Sequence, residues 1–301
     1  MNLFLMITSL LFILFPILLF LFLLISHFEN EKLNVTSYTI CSSKLPDEFD
    51  GCKIALLTDL HDHVFGDNNQ PLLQAINNAN PDYVMIAGDM VTHQKTFDGA
   101  VVYELLKQLT TRHEVYYGSG NHEQKLLLDQ ETRQAFETFL QSVKALGVHH
   151  LANESHIIDK DGASICVNGL ELDLECYKKI NKRAALSTEF TQTIKKNSPN
   201  TFQILLAHNP VFFPEYASWG ADLVFSGHVH GGMVVIPGIG GVLSTECRLF
   251  PKYDFGKFTK GRATMILSRG LGGHTIKLRI FNRPELVMVA LKKTLENDTN
   301  N

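Results

Sequence analysis

Five stretches of this 301-residue chain end a short apolar run with residue types that hold metal ions. Ile54-Ala-Leu-Leu57 leads into Thr58-Asp59-Leu60-His61, and Tyr83-Val-Met-Ile86 into Ala87-Gly88-Asp89. Val115-Tyr-Tyr117 leads into Gly118-Ser119-Gly120-Asn121-His122. Phe202 to Leu206 leads into Ala207-His208-Asn209, and Leu223-Val-Phe225 into Ser226-Gly227-His228-Val229-His230. Carboxylate oxygen, amide oxygen and imidazole nitrogen suit borderline and harder divalent ions. The lack of any thiolate in the set argues against a structural cysteine-type zinc site. Two such ions about 3.5–4 Å apart, sharing a bridging carboxylate, clamp an in-line phosphoryl displacement between them. The natural division puts Asp59, His61 and His230 on one ion and Asn121, His208 and His228 on the other, with Asp89 bridging.

These residues are spread over more than 170 positions, so the elements that carry them must bring them together. The apolar runs read as buried strands, as do Ser164 to Val167, Thr264 to Leu267 and Leu286 to Ala290. Pro71 to Ala79, Gly99 to Leu109 and Asp129 to Leu146 read as helices, the last stopped by Gly147. Early βαβ units followed by β-rich sequence, with Gly/Pro turns at Pro237 to Gly241, suggest two packed sheets with helices outside. In open α/β sheets the carboxyl ends of strands form the binding crevice, so loops far apart in sequence converge there. The glycines before Asp89, Asn121 and His228 are expected to let the backbone turn sharply and aim each side chain.

In order, D-x-H, G-D, G-N-H, a lone His and G-H-x-H resemble the motif blocks of the calcineurin-like metallophosphoesterase superfamily. The resemblance runs from about Cys52 to the end. Gly231-Gly232, Phe250-Pro-Lys-Tyr-Asp254 with Gly256, Ser268-Arg-Gly-Leu-Gly272 and Arg283-Pro-Glu285 are similar to its membrane-associated, YkuE-type branch. It implies an α/β fold, a four-layer αββα sandwich, and a site for two divalent ions of Mn, Zn, Fe or Mg type. It also implies that His122 contacts or protonates the leaving-group oxygen. The reaction expected is in-line attack on phosphorus by a metal-bridging hydroxide, with Arg269 or Arg248 offsetting charge on the equatorial oxygens.

The first part of the chain is a different material. No Asp, Glu, Lys or Arg precedes Glu29, and Leu3 to Ile25 is a nearly unbroken run of Leu, Phe and Ile. At about 1.5 Å per residue that run spans a hydrocarbon layer of about 30 Å, so a transmembrane helix is expected. A cleaved signal peptide is the competing reading. The run exceeds the usual apolar core of such peptides, and no A-x-A-like site follows Ile25. Residues 1–32 are therefore expected as anchor and linker, and residues 33–301 as one phosphoesterase domain. Flanking charge encodes orientation weakly, and a single-pass protein with an outward-facing catalytic domain is the expectation. Extended, the segment Ser26 to Asn34 would reach at most about 30 Å, which keeps the site close to the bilayer.

Other features have ordinary readings. Five cysteines without C-x-x-C spacing indicate neither a disulfide framework nor a zinc ribbon. His149-His150 reads as surface or structural, and Asp62-His63 as a solvated loop that could otherwise reach the metals. His274 has no assigned role. Phe250, Tyr253, Phe255 and Phe258 read as core packing before a substrate rim. Arg248 and Arg269 can grip phosphate bidentately or sit in salt bridges. A net charge of −4 without a basic stripe opposes a stable nucleic-acid partner, though the same ions would support a nuclease. The expected substrate is a phosphorylated small molecule or a lipid-linked phosphodiester or pyrophosphate. A phosphomonoesterase acting on proteins or cell-wall polymers is the alternative.

Overall fold

The computed structural model describes residues 3–178, 194, 200–232, 234–243, 249–273 and 278–295. Arg248, Cys247 and His274 lie outside these residues.

A long helix, α1 (Leu3–Glu31), opens the chain. From Leu10 onward it is long and apolar enough to cross a membrane. Its apolar side chains are bare of protein cover, Phe12 to 86% and Phe15 to 69%. Such a surface is costly in water, which no polar face relieves.

Two six-stranded sheets follow. The first runs in the order β1 (Asn34–Ser42), β14 (Glu285–Lys293), β2 (Lys53–Leu57), β3 (Tyr83–Ala87), β4 (Glu114–Gly118), β5 (His149–Leu151). Its pairs are parallel except that of β14 with β2. The second runs β12 (Gly256–Lys260), β13 (Ala263–Leu267), β9 (Leu223–Ser226), β8 (Phe202–Ala207), β7 (Ala163–Leu170), β6 (Glu154–Lys160). A hairpin, β10 (Val234–Ile236) with β11 (Gly240–Leu243), occupies the expected Gly/Pro turn region.

The strand period of two decides which side chains go where. Ile54, Leu56, Met85 and Tyr116 of the first sheet meet Ile165, Val167, Ile204 and Phe225 of the second in the central core. The alternate residues Ala55, Leu57, Val84 and Ile86 face outward onto the helices α2 (Gln70–Ala79), α3 (Ala100–Leu109) and α5 (Arg133–Ala145). Leu205, Val224 and Met265 face the other way, onto Tyr216 and Trp219 of α6 (Phe213–Trp219). The result is the expected four-layer αββα arrangement.

Several local expectations change. The helix expected over Asp129 to Leu146 is α5, which starts only at Arg133 and is followed by Gly147 at φ +91°, and a further helix that was not expected, α4 (Asn121–Leu128), precedes it. The segment expected as an extendable linker is helical through Glu31. Ser26 Oγ accepts the backbone N–H of Arg279 at 2.9 Å, and Glu29 pairs with Arg283 at 3.0 Å, so the foot of α1 is tied to the sandwich. Tyr253 and Phe258 pack on the outer core of the second sheet, but Phe250 is exposed. Asp62 is half-buried and accepts the Thr92 N–H at 2.8 Å, and the His63 ring packs edge-on against Phe65, so neither sits in a freely solvated loop.

Candidate metal centre

The carboxyl ends of β2, β3, β4, β8 and β9 bring the predicted residues to one place. Ligand atoms of Asp59, His61 and His230 lie within 4.8 Å of one another, as do those of Asp89, His208 and His228. Asp89 also groups with His61 and His122. His208 Nε2 is 3.0 Å from Asp89 Oδ2, and His230 Nε2 is 3.3 Å from Asp59 Oδ1.

The backbone is bent to achieve this. Asp59, His61, Asp89, His228 and His230 all have φ between +48° and +73°, a region costly for residues with a Cβ. Strain of about 1–3 kcal/mol per residue persists only where surrounding structure imposes it, and it gathers here at the side chains that converge. Glycine helps in two ways. Gly88 turns through φ +89°, as expected. Gly120, at φ −105°, needs no such freedom; a Cβ there would strike Asp89 Oδ1 and the Asp89 nitrogen, and one at Gly227 would strike Thr58 Oγ1 and Asp59 Oδ2. At those two positions close approach, rather than turning, requires glycine.

Hydrogen bonds around the centre fix the rings of His208, His230 and His122. His208 Nδ1 lies 2.6 Å from the Ala87 carbonyl and His230 Nδ1 3.2 Å from that of Gly272, so each donates its Nδ1 proton and turns Nε2 inward. His122 Nδ1 lies 2.9 Å from the backbone N–H of His93 and must accept, which places the proton of the neutral ring on Nε2. Thr58 Oγ1 donates to Asp59 Oδ2 at 2.7 Å, and the N–H of His228 reaches both oxygens. Asn121 Oδ1 is buried without a hydrogen-bond partner among the described residues. A buried amide oxygen left this way is costly unless a cation supplies the missing partner.

The electrostatics ask for cations too. Burial works against the Asp89 carboxylate, but His208 and His122 outweigh it and hold the group well below its ordinary range. Burial pushes Asp59 up to about 6 against the pull of His208. Burial likewise opposes a charged His208, but Asp89 and Asp59 raise it to about 10. Without metal, then, protons held on imidazole offset the carboxylate charge. Divalent ions would replace those protons, and the donor set of two carboxylates, one amide oxygen and imidazole nitrogens fits them.

Two supporting residues escape a sequence reading. Glu123 is fully buried and accepts the N–H groups of Asp89 (2.9 Å), Met90 (2.8 Å) and Gly120 (2.9 Å), and the Tyr117 hydroxyl (2.7 Å). Burial, then the Asp89 charge, push its carboxyl up to about 7. Its sequence signal is a Glu three residues after Gly120, an N-terminal capping pattern for α4. Buried Arg279 donates to the carbonyls of Arg269, Gly270, Gly272 and Asn282, bracing the loop whose Gly272 carbonyl holds His230. Nothing local marks it, since its partners lie on a loop that only the fold brings near.

Arg269, expected on phosphate, makes contacts within the fold. Its guanidinium lies 3.5 Å over the Phe255 ring, donates to the Phe281 carbonyl at 3.3 Å, and has Glu285 as its ion-pair partner among the described residues.

His150 is buried and meets Ser119 Oγ at 3.0 Å beside the Asn121 loop. Burial, with a smaller push from Lys144, lowers it from 6.5 to about 4. Between those values the unfolded chain binds more protons, so the associated stability is complete above pH 6.5 and is lost as the pH falls to 4. The loss is about 3 kcal/mol. His150→Gln is expected to flatten the pH dependence of urea stability over that window in metal-free protein; an unchanged slope would contradict a buried neutral His150.

Comparison with known proteins agrees with this geometry. Residues 52–232 match the calcineurin-like phosphoesterase family. The chain is 26% identical over 278 residues to a Bacillus subtilis protein described as an uncharacterized metallophosphoesterase, YkuE, covering 89% of this chain and 88% of that one. It is 26% identical over 267 residues to a zebrafish transmembrane protein with metallophosphoesterase domain, covering 86% of this chain and 57% of the longer relative. Among solved structures it is similar to a phosphopantetheinyl hydrolase of Mycobacterium tuberculosis (TM-score 0.44, 13% identity, 73% of this chain and 89% of that one). It is also similar to a dimetal phosphatase of zebrafish (TM-score 0.40, 10% identity, 74% and 88%). Family members use a dinuclear divalent-metal site, for which the Asp/His groups described above are suited. The chain belongs to the calcineurin-like phosphoesterase family and is a metal-dependent hydrolase of phosphoester bonds.

Proposed function

We propose that the chain is anchored in a membrane by α1 and hydrolyses a phosphodiester or pyrophosphate bond in an amphiphilic substrate held at the bilayer surface. Residues 1–32 would form the anchor and residues 33–301 the catalytic domain. Asp59, His61 and His230 would hold one divalent ion, Asn121, His208 and His228 the other, and Asp89 both. Such ions, when bound, act as Lewis acids toward phosphoryl oxygens and acidify water. The chain's own residues do the rest. The carbonyls of Ala87 and Gly272 keep His208 and His230 in the tautomer with a free Nε2. The His93 N–H keeps the His122 proton on Nε2, from which it can pass to the leaving oxygen.

The observation that carries the substrate class is a cavity of about 310 Å³ at the foot of α1. It is lined by Leu23, His27 and Asn30 of the helix and by His63, Leu271 and Gly272 of the sandwich. Gly272 is the residue that holds His230, so the cavity borders the metal-binding loops on one side and the apolar helix on the other. That geometry suits a polar phosphoester head whose tail remains in lipid. The zebrafish relative's description as a transmembrane protein supports the anchor.

The test uses the full chain in phospholipid vesicles. Bis-aryl phosphate is expected to be cleaved faster than mono-aryl phosphate, and a vesicle-embedded lipid phosphodiester at least tenfold faster than its water-soluble short-chain analogue. Asn30→Trp, which fills the cavity, is expected to remove the second preference and leave the first. A preference for the monoester would instead make the protein a phosphatase, and equal rates on embedded and soluble diesters would remove the membrane-held substrate.

A further inference from the structure

A second group of metal-binding side chains lies outside the catalytic centre, where the open edges of the two sheets meet. Glu114 is on β4, His149 on β5 at the edge of the first sheet, and His156 on β6 at the edge of the second. The strand period explains how they share a face. His149 and His150 are neighbours on β5, so they point to opposite sides; His150 lies on the helix-facing side with Tyr117 and meets Ser119, and His149 lies on the side of Tyr116, toward the second sheet. His149 pairs in register with Tyr116, whose ring stacks on it at 5.0 Å, and Glu114 lies two residues before Tyr116 on the same face of β4. The connection from β5 to β6 then brings the His156 ring to 4.1 Å from that of His149.

One ligand atom from each of Glu114, His149 and His156 lies within 4.8 Å of the others. His149 Nε2 and Glu114 Oε1 are 3.3 Å apart. Two ligands at about 2.0–2.1 Å from a tetrahedral zinc ion stand about 3.3 Å apart, so this pair already has the required spacing. The Tyr116 hydroxyl donates to Glu114 Oε1 at 2.5 Å and orients the carboxylate as an outer partner of a ligand does. Glu114 is exposed and both imidazoles are half-buried, so a cation can enter from solvent and keep a water as its fourth ligand.

We propose that Glu114, His149 and His156 form a third cation site, of the two-imidazole, one-carboxylate type that takes zinc or a similar divalent transition ion, and that the ion staples the two sheet edges together. Two imidazoles at ring-stacking distance repel when both are protonated, whereas a shared cation holds both neutral rings and the carboxylate at once. The donors come from strands of both sheets, so the bound ion would cross-link layers that the short β5 to β6 connection joins covalently. It is structural in character, because none of the three side chains belongs to the Asp/His groups at the strand ends.

The experiment is zinc titration of the detergent-solubilised full chain against a chromophoric chelator, with thermal unfolding followed in parallel. The double variant His149→Ala/His156→Ala is expected to bind one equivalent fewer than the natural chain, to lose the rise in Tm that accompanies that equivalent, and to keep full phosphodiester hydrolysis. Glu114→Gln, which preserves shape, is expected to weaken the same equivalent at least tenfold and decides the matter should the double variant fail to fold. Equal zinc stoichiometry and affinity in the natural chain and the variants would overturn the proposal. So would loss of hydrolysis in proportion to loss of the ion, which would make the site part of the catalytic machinery.

Discussion

Asp89→Asn is expected to lower kcat/KM for a phosphodiester by about 10³-fold or more, equivalent to roughly 4 kcal/mol of transition-state stabilisation. The substitution is nearly isosteric, and its remaining oxygen can still accept the His122 N–H that Asp89 Oδ1 accepts at 2.8 Å. What it removes is the charge shared by both groups of ligands. Asp89 Oδ2 stands 3.0 Å from His208 Nε2 and 3.8 Å from His61 Nε2, so one carboxylate lies between side chains assigned here to different ions. Loss of one preorganised donor at a developing oxyanion costs about 10²–10³ in rate, and a group that positions two cations should cost at least as much. The measurement is steady-state hydrolysis of a bis-aryl phosphate together with bound-metal content. A variant that folds, retains two ions and works within tenfold of the natural chain would sink the bridging role.

Much of the site could be read before the fold because each ligand type stands directly after a strand. A strand announces itself locally through its apolar run, and the carboxyl ends of parallel strands converge whatever lies between them. Asp59, Asp89, His208 and His230 come together for that reason, although several strands and helices of the sandwich lie between Asp89 and His208 in the chain. Residues whose job depends on distant backbone were harder to see. Nothing in the sequence around Arg269 marks its place over Phe255, which packing alone sets. Arg279 resembles any surface cation until its four carbonyl partners are in place. The strand β1 has one buried residue, Ile40, and pairs along its length with β14, some 250 residues later, so its pattern carries little apolar signal. The foot of α1 illustrates the same limit, because helix and extended linker are both compatible with Ser26 to Glu31, and the ties to Arg279 and Arg283 favour the helix.

Glu123→Gln should show how far the centre depends on a residue that touches no substrate. Four donors at 2.7–2.9 Å converge on two carboxylate oxygens: Oε2 accepts from Asp89 and Gly120, and Oε1 from Met90 and the Tyr117 hydroxyl. Glutamine keeps the volume but offers one oxygen, so its NH2 group must face N–H or O–H donors in a buried space. Each buried donor left unsatisfied costs about 1–3 kcal/mol, and two are affected whichever way the amide is turned. The expected loss is therefore about 3–5 kcal/mol, a large part of the 5–15 kcal/mol available to a typical domain. The damage should not stop at stability, because Asp89 and Gly120 are held through their backbones. When Gly120 moves, the Asn121 that follows it moves too, and so does the carboxylate that Gly120 packs against. Outer groups of this kind typically govern metal affinity by 10–100-fold, so metal binding should weaken by that factor at a temperature where the variant is still folded. Denaturant titration and metal competition on the same preparation test the two halves separately. A stability loss with unchanged metal affinity would reduce Glu123 to a helix cap, and an unchanged stability would mean that the four donors find other partners.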